Sequence, residues 1–150
     1  MYIPKVERLC INFKTLENFK QFKGSGALEL SMLEDLQANI IENDSESPFY
    51  GIYFGESLVA RMSLYKQHSF VEGTYLELFK LEVLPEFKRR GFGTALVDYA
   101  KSIKLPIKTV ARAHSKEFWE KQGFYQEENN QVDMFLWNPN TAVDTKEESA

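Results

Sequence analysis

The feature that most constrains this chain is the run Leu81-Glu82-Val83-Leu84-Pro85-Glu86-Phe87-Lys88-Arg89-Arg90-Gly91-Phe92-Gly93-Thr94. Apolar residues come first, and Pro85 ends the ladder because proline has no N–H to give. After the basic stretch, Phe92, Ala95, Leu96, Tyr99, Ala100 and Ile103 recur at helical spacing. The run therefore reads as a strand, a basic glycine-containing turn and a helix. The first-turn amides of a helix have no partner within it and carry partial positive charge, and glycine lets backbone approach a ligand closely. Such a junction can cradle a pyrophosphate, and Lys88, Arg89 and Arg90 add three adjacent cations. It is not a Walker loop, because no Gly-Lys-Ser/Thr follows, and Leu96 stands where the third glycine of the dinucleotide fingerprint belongs. A nucleotide ligand of another type remains.

The rest of the chain sets the frame. Its 150 residues suit one domain, and 43% hydrophobic with 14% aromatic residues is enough to build a core. Residues 5–14 read as a first strand and 16–22 as helical. Residues 27–42 carry Leu28, Met32, Leu33, Leu36, Ile40 and Ile41 at helical spacing. Residues 49–54 and 57–65 form a hairpin about Gly55-Glu56, residues 66–73 a polar loop, and 74–84 a long strand. A strand over 107–111, a helix over 115–122 stopped by Gly123, and strands near Phe124 and over 132–137 complete the expected domain, 1–138. Residues 139–150 read as a polar, disordered tail.

Charge and composition exclude several classes. A net charge of −4 offers no general attraction to nucleic acid, so an anion site must be local. No stretch is long and apolar enough to span a bilayer and no signal peptide opens the chain, which predicts a cytoplasmic protein with no membrane partner. Cys10 is the one cysteine and reads as a small buried side chain. His68 and His114, the two histidines, lack the neighbours of a metal site, so no metal is expected. Gly24-Ser25-Gly26 reads as a plain turn because no cation follows it.

Lys88 to Gly93 resembles the acetyl-CoA loop of the GNAT superfamily of N-acetyltransferases, which has the form Gln/Arg-x-x-Gly-x-Gly/Ala between the fourth strand and a helix. Lys88 keeps the charge of the first position without the planar fork of arginine. Downstream, Ser115-Lys116-Glu117-Phe118-Trp119-Glu120-Lys121-Gln122-Gly123-Phe124 is similar to the family's helix ending in Tyr-x-Lys-x-Gly-Phe. The two motifs occur in the family's order, one helix and one strand apart. The resemblance implies a small single-domain bacterial-type member with an α/β GNAT fold. Its central sheet would be mixed and mostly antiparallel, with about six to seven strands and about four helices, splayed between strands 4 and 5.

The same resemblance implies the site. Leu81, Glu82 and Val83 would pair with the pantetheine arm of acetyl-CoA through their backbone, as a peptide adds to an open strand edge. Lys88, Arg89, Arg90, Gly91, Phe92, Gly93 and Thr94 would hold the pyrophosphate, and Ser115, Phe118, Trp119 and Lys121 the rest of the cofactor. Glu77 lies fourteen residues before Gly91, where some family members carry a general base, with Glu82 as second candidate on the opposite strand parity. An alkylamine with a pKa near ~10.4 must lose a proton before it attacks a thioester, which is the work of such a carboxylate. Glu77 can equally be a solvated residue pairing with a nearby cation. Trp119 stands where many relatives place a tyrosine acid, and indole is no practical proton source, so Tyr125 or Ser115 becomes the candidate acid. Arg112 replaces the asparagine that often opens this motif.

These features predict an N-acetyltransferase that moves an acetyl group from acetyl-CoA directly to a primary amine of a small molecule, peptide or protein. The alternative is a catalytically weak or inactive CoA-binding sensor or interaction module of the same fold, a reading that Trp119 supports. Nucleic-acid binding through Lys88, Arg89 and Arg90 is disfavoured by the acidic remainder. The acceptor has no motif, and a homodimer through the hairpin and C-terminal strands is left open.

Overall fold

Phe49, Tyr50, Gly51 and Ile52 are all buried, as are the seven residues from Leu58 to Leu64, so this hairpin is covered on both faces where it pairs. A computed structural model describes residues 4–10, 13–22, 47–71, 73–111, 115–127 and 133–139. Within these, the elements run β1 (Glu7–Arg8), α1 (Phe13–Phe19), β2 (Phe49–Phe54), β3 (Ser57–Ser69), β4 (Gly73–Val83), a 3-10 turn (Pro85–Phe87), α2 (Phe92–Ser102), β5 (Ile107–Val110), α3 (Lys116–Lys121), β6 (Tyr125–Gln126) and β7 (Met134–Trp137). The strands form one mixed sheet in the order β1-β2-β3-β4-β5-β7-β6. β1–β2, β2–β3, β5–β7 and β6–β7 are antiparallel, and β4–β5 is parallel. The helix over 27–42, the Gly24-Ser25-Gly26 turn and the tail from 140 lie outside the described residues.

Backbone contacts divide the chain into two compact units, and β3 and β4 each run through both. The first takes the described residues up to Ser63 together with Lys80–Leu96. Its core is Leu9, Phe19, Phe22, Phe49, Leu58 and Leu84, with Tyr53 and Phe87 packed at its margin. Phe19 meets Phe49 edge-on at 5.3 Å, a favoured aromatic geometry. Gly51 is required here, because a Cβ would lie 2.6 Å from the Leu58 side chain and 2.9 Å from the Ala60 carbonyl oxygen. The second unit takes Leu64–Phe79 and the described residues from Val97 onward. It buries Leu76, Leu78, Ala100, Ile107, Trp119, Phe124 and Phe135.

Four expectations need correction. The first strand is two residues long, and α1 already begins at Phe13, so alternation over 5–14 overstated it. Residues 66–69 continue β3 instead of opening a loop. Their alternating half-buried and exposed pattern is that of a strand with one solvated face, which polarity alone disguised as a turn. Ile103 falls outside α2 and is 39% exposed; Lys104, at φ 66°, ends the helix one residue on. Cys10 is half-buried, not fully enclosed.

Candidate functional site

The basic turn lies wholly within the first unit. β4 closes where the Leu84 N–H donates to the Val59 carbonyl at 2.9 Å, and Pro85 then opens a single 3-10 turn. Beyond Lys88, which is extended at φ −67°, Arg89 adopts φ 66° and Gly91 φ 86°. Left-handed residues alternating along a chain tip successive N–H groups toward one side, the concave arrangement that receives anions. For a β-carbon residue such as Arg89 the conformation costs about 1–2 kcal/mol and persists only where its surroundings impose it. Those surroundings are aromatic. Phe87 packs against the core and against Phe54 (5.5 Å) and Phe92 (6.1 Å), and the Arg90 guanidinium lies 5.2 Å over the Phe87 ring. The turn is thus pinned from below while Lys88, Arg89 and Arg90 are exposed.

α2 begins directly afterward: the Ala95 N–H donates to the Gly91 carbonyl at 2.9 Å, so Phe92, Gly93 and Thr94 form the first turn of the helix. No acidic residue occupies that turn to compete for it. At Gly91 a Cβ would meet nothing within 4 Å. Glycine is therefore demanded there by the backbone conformation, and the space above it is open. Exposed cations, a helix start and open space at Gly91 together fit a pyrophosphate.

Leu81, Glu82 and Val83 are half-buried on β4. Glu82 is tied to Arg61, which has no solvent exposure: Nε donates to Glu82 Oε1 at 2.8 Å, and Nη2 donates to the same oxygen. Arg61 Nη1 donates to Ser63 Oγ at 3.2 Å, and its guanidinium lies 5.0 Å over Phe19. The sequence held a signal for this pair, a lone charge within Leu58-Val59-Ala60-Arg61-Met62, because a buried cation needs a partner. Its bond to Glu82 was not foreseen.

Glu77 belongs to the second unit. Its Oε1 accepts a hydrogen bond from Gln67 Nε2 on β3 at 3.1 Å. Two residues away in each strand, Tyr65 meets Phe79 edge-on at 6.2 Å. On β5, Lys108 is the register partner of Glu77, and its ammonium lies 4.6 Å over the Tyr75 ring. The opposite face of β4, with Leu76 and Leu78, is buried. The β4–β5 register covers Leu76↔Ile107 and Glu77↔Lys108, after which the Thr109 hydroxyl donates to the Leu78 carbonyl at 2.8 Å. A side-chain bond here takes over from ladder pairing, which is where the parallel strands part.

The second motif folds as a capped helix. Gly123, at φ 86°, ends α3; its N–H donates to Glu120 and that of Phe124 to Trp119, both at 3.0 Å, the two bonds of a Schellman cap. Trp119 is 4% exposed and stands 5.0 Å from both Phe118 and Phe124, so the indole is a core residue. Ser115 is the N-cap residue without a side-chain cap bond, and Lys121 pairs with Glu117 at 3.3 Å on the exposed face. Tyr125 on β6 is 51% exposed. His68 Nδ1 meets Thr74 Oγ1 at 3.0 Å, and Arg112 and His114 lie outside the described residues. Among the described residues no cluster of His, Cys, Asp and Glu could hold a metal ion, and no helix is long and apolar enough to cross a membrane.

A mixed sheet parting at a short parallel pair, with a basic glycine-containing turn between a strand and a helix, is the α/β architecture that the sequence resemblance implies. The model of the acetyltransferase (GNAT) family matches residues 14–124, and the chain belongs to that family. It is 60% identical, over the full length of both chains, to an uncharacterized N-acetyltransferase of Bacillus cereus (strain AH820) and to another of Bacillus thuringiensis (strain Al Hakam). It is similar to the crystal structure of the Bacillus subtilis N-acetyltransferase YlbP in complex with coenzyme A, with a TM-score of 0.81 and 54% identity, covering 92% of this chain and 98% of that one. The fold is shared with the PaiA N-acetyltransferase of Thermoplasma acidophilum, at a TM-score of 0.60 and 18% identity over 90% of this chain and 98% of that one. This chain is an acyltransferase by family.

Proposed function

We propose that the protein works in the cytoplasm and transfers the acetyl group of acetyl-CoA directly to a primary amine of a small molecule, peptide or protein. The observation that carries this reading is the turn with Arg89 and Gly91 both left-handed, three exposed cations beside it and a helix beginning at once. The crystallisation of the YlbP relative with coenzyme A supports it. When bound, acetyl-CoA supplies the acetyl group as a thioester. Lys88, Arg89, Arg90 and the amides from Gly91 to Thr94 would hold its phosphates, and the 81–83 backbone its pantetheine arm. Glu77 would take the proton of the incoming ammonium, directly or through water. Glu82, whose Oε1 already receives two N–H groups from Arg61, serves the fold instead. With Trp119 buried, the exposed Tyr125 phenol is the acid on offer, and thiolate is in any case a tolerable leaving group.

The burial of Trp119 also keeps a second reading alive, a CoA-binding module without turnover. Two measurements separate them. Acetyl-CoA should raise Tm more than AMP does, with about 2.7 kcal/mol of stabilisation at a hundredfold excess over Kd. Free thiol should then appear with at least one member of a broad amine panel. Stabilisation without thiol release across the panel would favour the module, and no stabilisation at millimolar acetyl-CoA would remove both readings.

A further inference from the structure

We infer that Gln67 is a positioning residue for the reaction, holding the Glu77 carboxylate in the orientation in which it receives the proton of the acceptor amine. The inference rests on the reading of Glu77 as the base. A carboxylate at neutral pH only accepts hydrogen bonds, so the Gln67 amide must present its nitrogen, as it does at 3.1 Å from Oε1. Both side chains are half-buried. The Tyr65–Phe79 ring contact, two residues away along each of the same strands, packs beside this hydrogen bond.

The chemistry of the donor is the heart of the matter. A glutamate side chain has free torsions, and a base must be aimed before it is useful. A guanidinium would aim it too, but would also occupy it with a permanent positive charge, as Arg61 does to Glu82. The amide of Gln67 orients the carboxylate and leaves its charge intact. The one cation in register with Glu77 among the described strands, Lys108, has its ammonium over the Tyr75 ring. The face thus gives one strand neighbour of Glu77 an aiming function and engages the other with an aromatic surface.

The test combines kinetics with a spectroscopic signature. Gln67→Leu keeps the size and removes the donor. It should lower kcat about tenfold, the effect of 1.4 kcal/mol at the barrier, with the acetyl-CoA KM unchanged. Gln67→Asn, which retains the amide one methylene shorter, should fall between. The double variant with Glu77→Gln should be no slower than Glu77→Gln alone, because there is no carboxylate left to aim. Independently of turnover, the side-chain amide resonances of Gln67, assigned by their loss in Gln67→Leu, should move when Glu77 becomes glutamine. If Glu77→Gln is slow while Gln67→Leu has wild-type kcat, or if the two losses multiply, the base stands and the positioning role is wrong. If Glu77→Gln retains full turnover, both fall.

Discussion

The turn around Gly91 and the sheet face around Glu77 put charge to opposite uses. In the turn, the groups proposed to meet the ligand are mostly backbone, set by two left-handed residues and a helix start, with the cations exposed beside them. On the sheet face, the proposed functional group is one side chain, the Glu77 carboxylate, which accepts a hydrogen bond from Gln67 on a different strand. The first kind of site is local, written in consecutive residues. The second is assembled from positions ten apart in sequence that only the strand pairing brings together. β4 carries both kinds of carboxylate, Glu77 with a neutral donor and Glu82 with a buried guanidinium.

Exchanging the fates of these two carboxylates is the most severe way to break the comparison. Glu77→Gln should lower turnover by about 10² to 10⁴, the usual weight of a general base, while Tm holds. Glu82→Leu should instead take the carboxylate from the buried Arg61 guanidinium and cost about 3–5 kcal/mol, which is roughly 6–20 °C in Tm for a chain of this size. Thermal melts and thiol-release rates on both variants decide it. A Glu82→Gln variant that lost rate as Glu77→Gln does, with Tm intact, would return the base to Glu82.

How much was legible follows from the same distinction. The strand, turn and helix from Leu81 onward were readable because proline, glycine and helical periodicity act on adjacent residues, and the fold followed from that junction together with the capped helix ending at Gly123. Gln67 was invisible: Lys66-Gln67-His68-Ser69 has the polarity of a loop, and its place in β3 depends on contacts with β4 such as Tyr65–Phe79. The register of a polar, one-sided strand is weakly specified by its own residues. Trp119 was legible as a departure from the family pattern whose ring packs against the cofactor arm or the core, and its particular neighbours, Phe118 and Phe124, came only from the packing.

A smaller effect sharpens the backbone side of the comparison. Gly91→Ala puts a methyl into open space but at φ 86°, so it should cost about 1 kcal/mol of backbone strain and weaken acetyl-CoA binding modestly. Gly91→Asp adds a negative charge at the phosphate position and should weaken binding at least tenfold beyond Ala, with a melt close to that of Gly91→Ala. Isothermal titration on the pair separates conformation from charge. Equal affinity in both variants would mean the phosphates are held elsewhere.

The smallest expected effect lies in the margin of the first unit's core, at Tyr53. Burial against that core pushes its phenol above the ordinary tyrosine range; the Asn18 amide at 3.4 Å from its oxygen partly offsets this, and Glu7 and Cys10 add to the rise. The sign follows directly. A raised folded-state value means that the native protein holds this proton more tightly than the unfolded chain, so the contribution to stability is complete below the unfolded value near ~10 and is lost as pH climbs through the folded one. Alkaline conditions should therefore destabilise the wild type in part through Tyr53. Tyr53→Phe removes the ionisable group and leaves the ring, and with it the Lys14 contact at 6.0 Å. Denaturant melts between pH 8 and 11, an assay window spanning the ordinary phenol range of about 10, should show a shallower alkaline fall in the variant. A fall of the same steepness would place the Tyr53 hydroxyl in water and deny it any share in the alkaline limb.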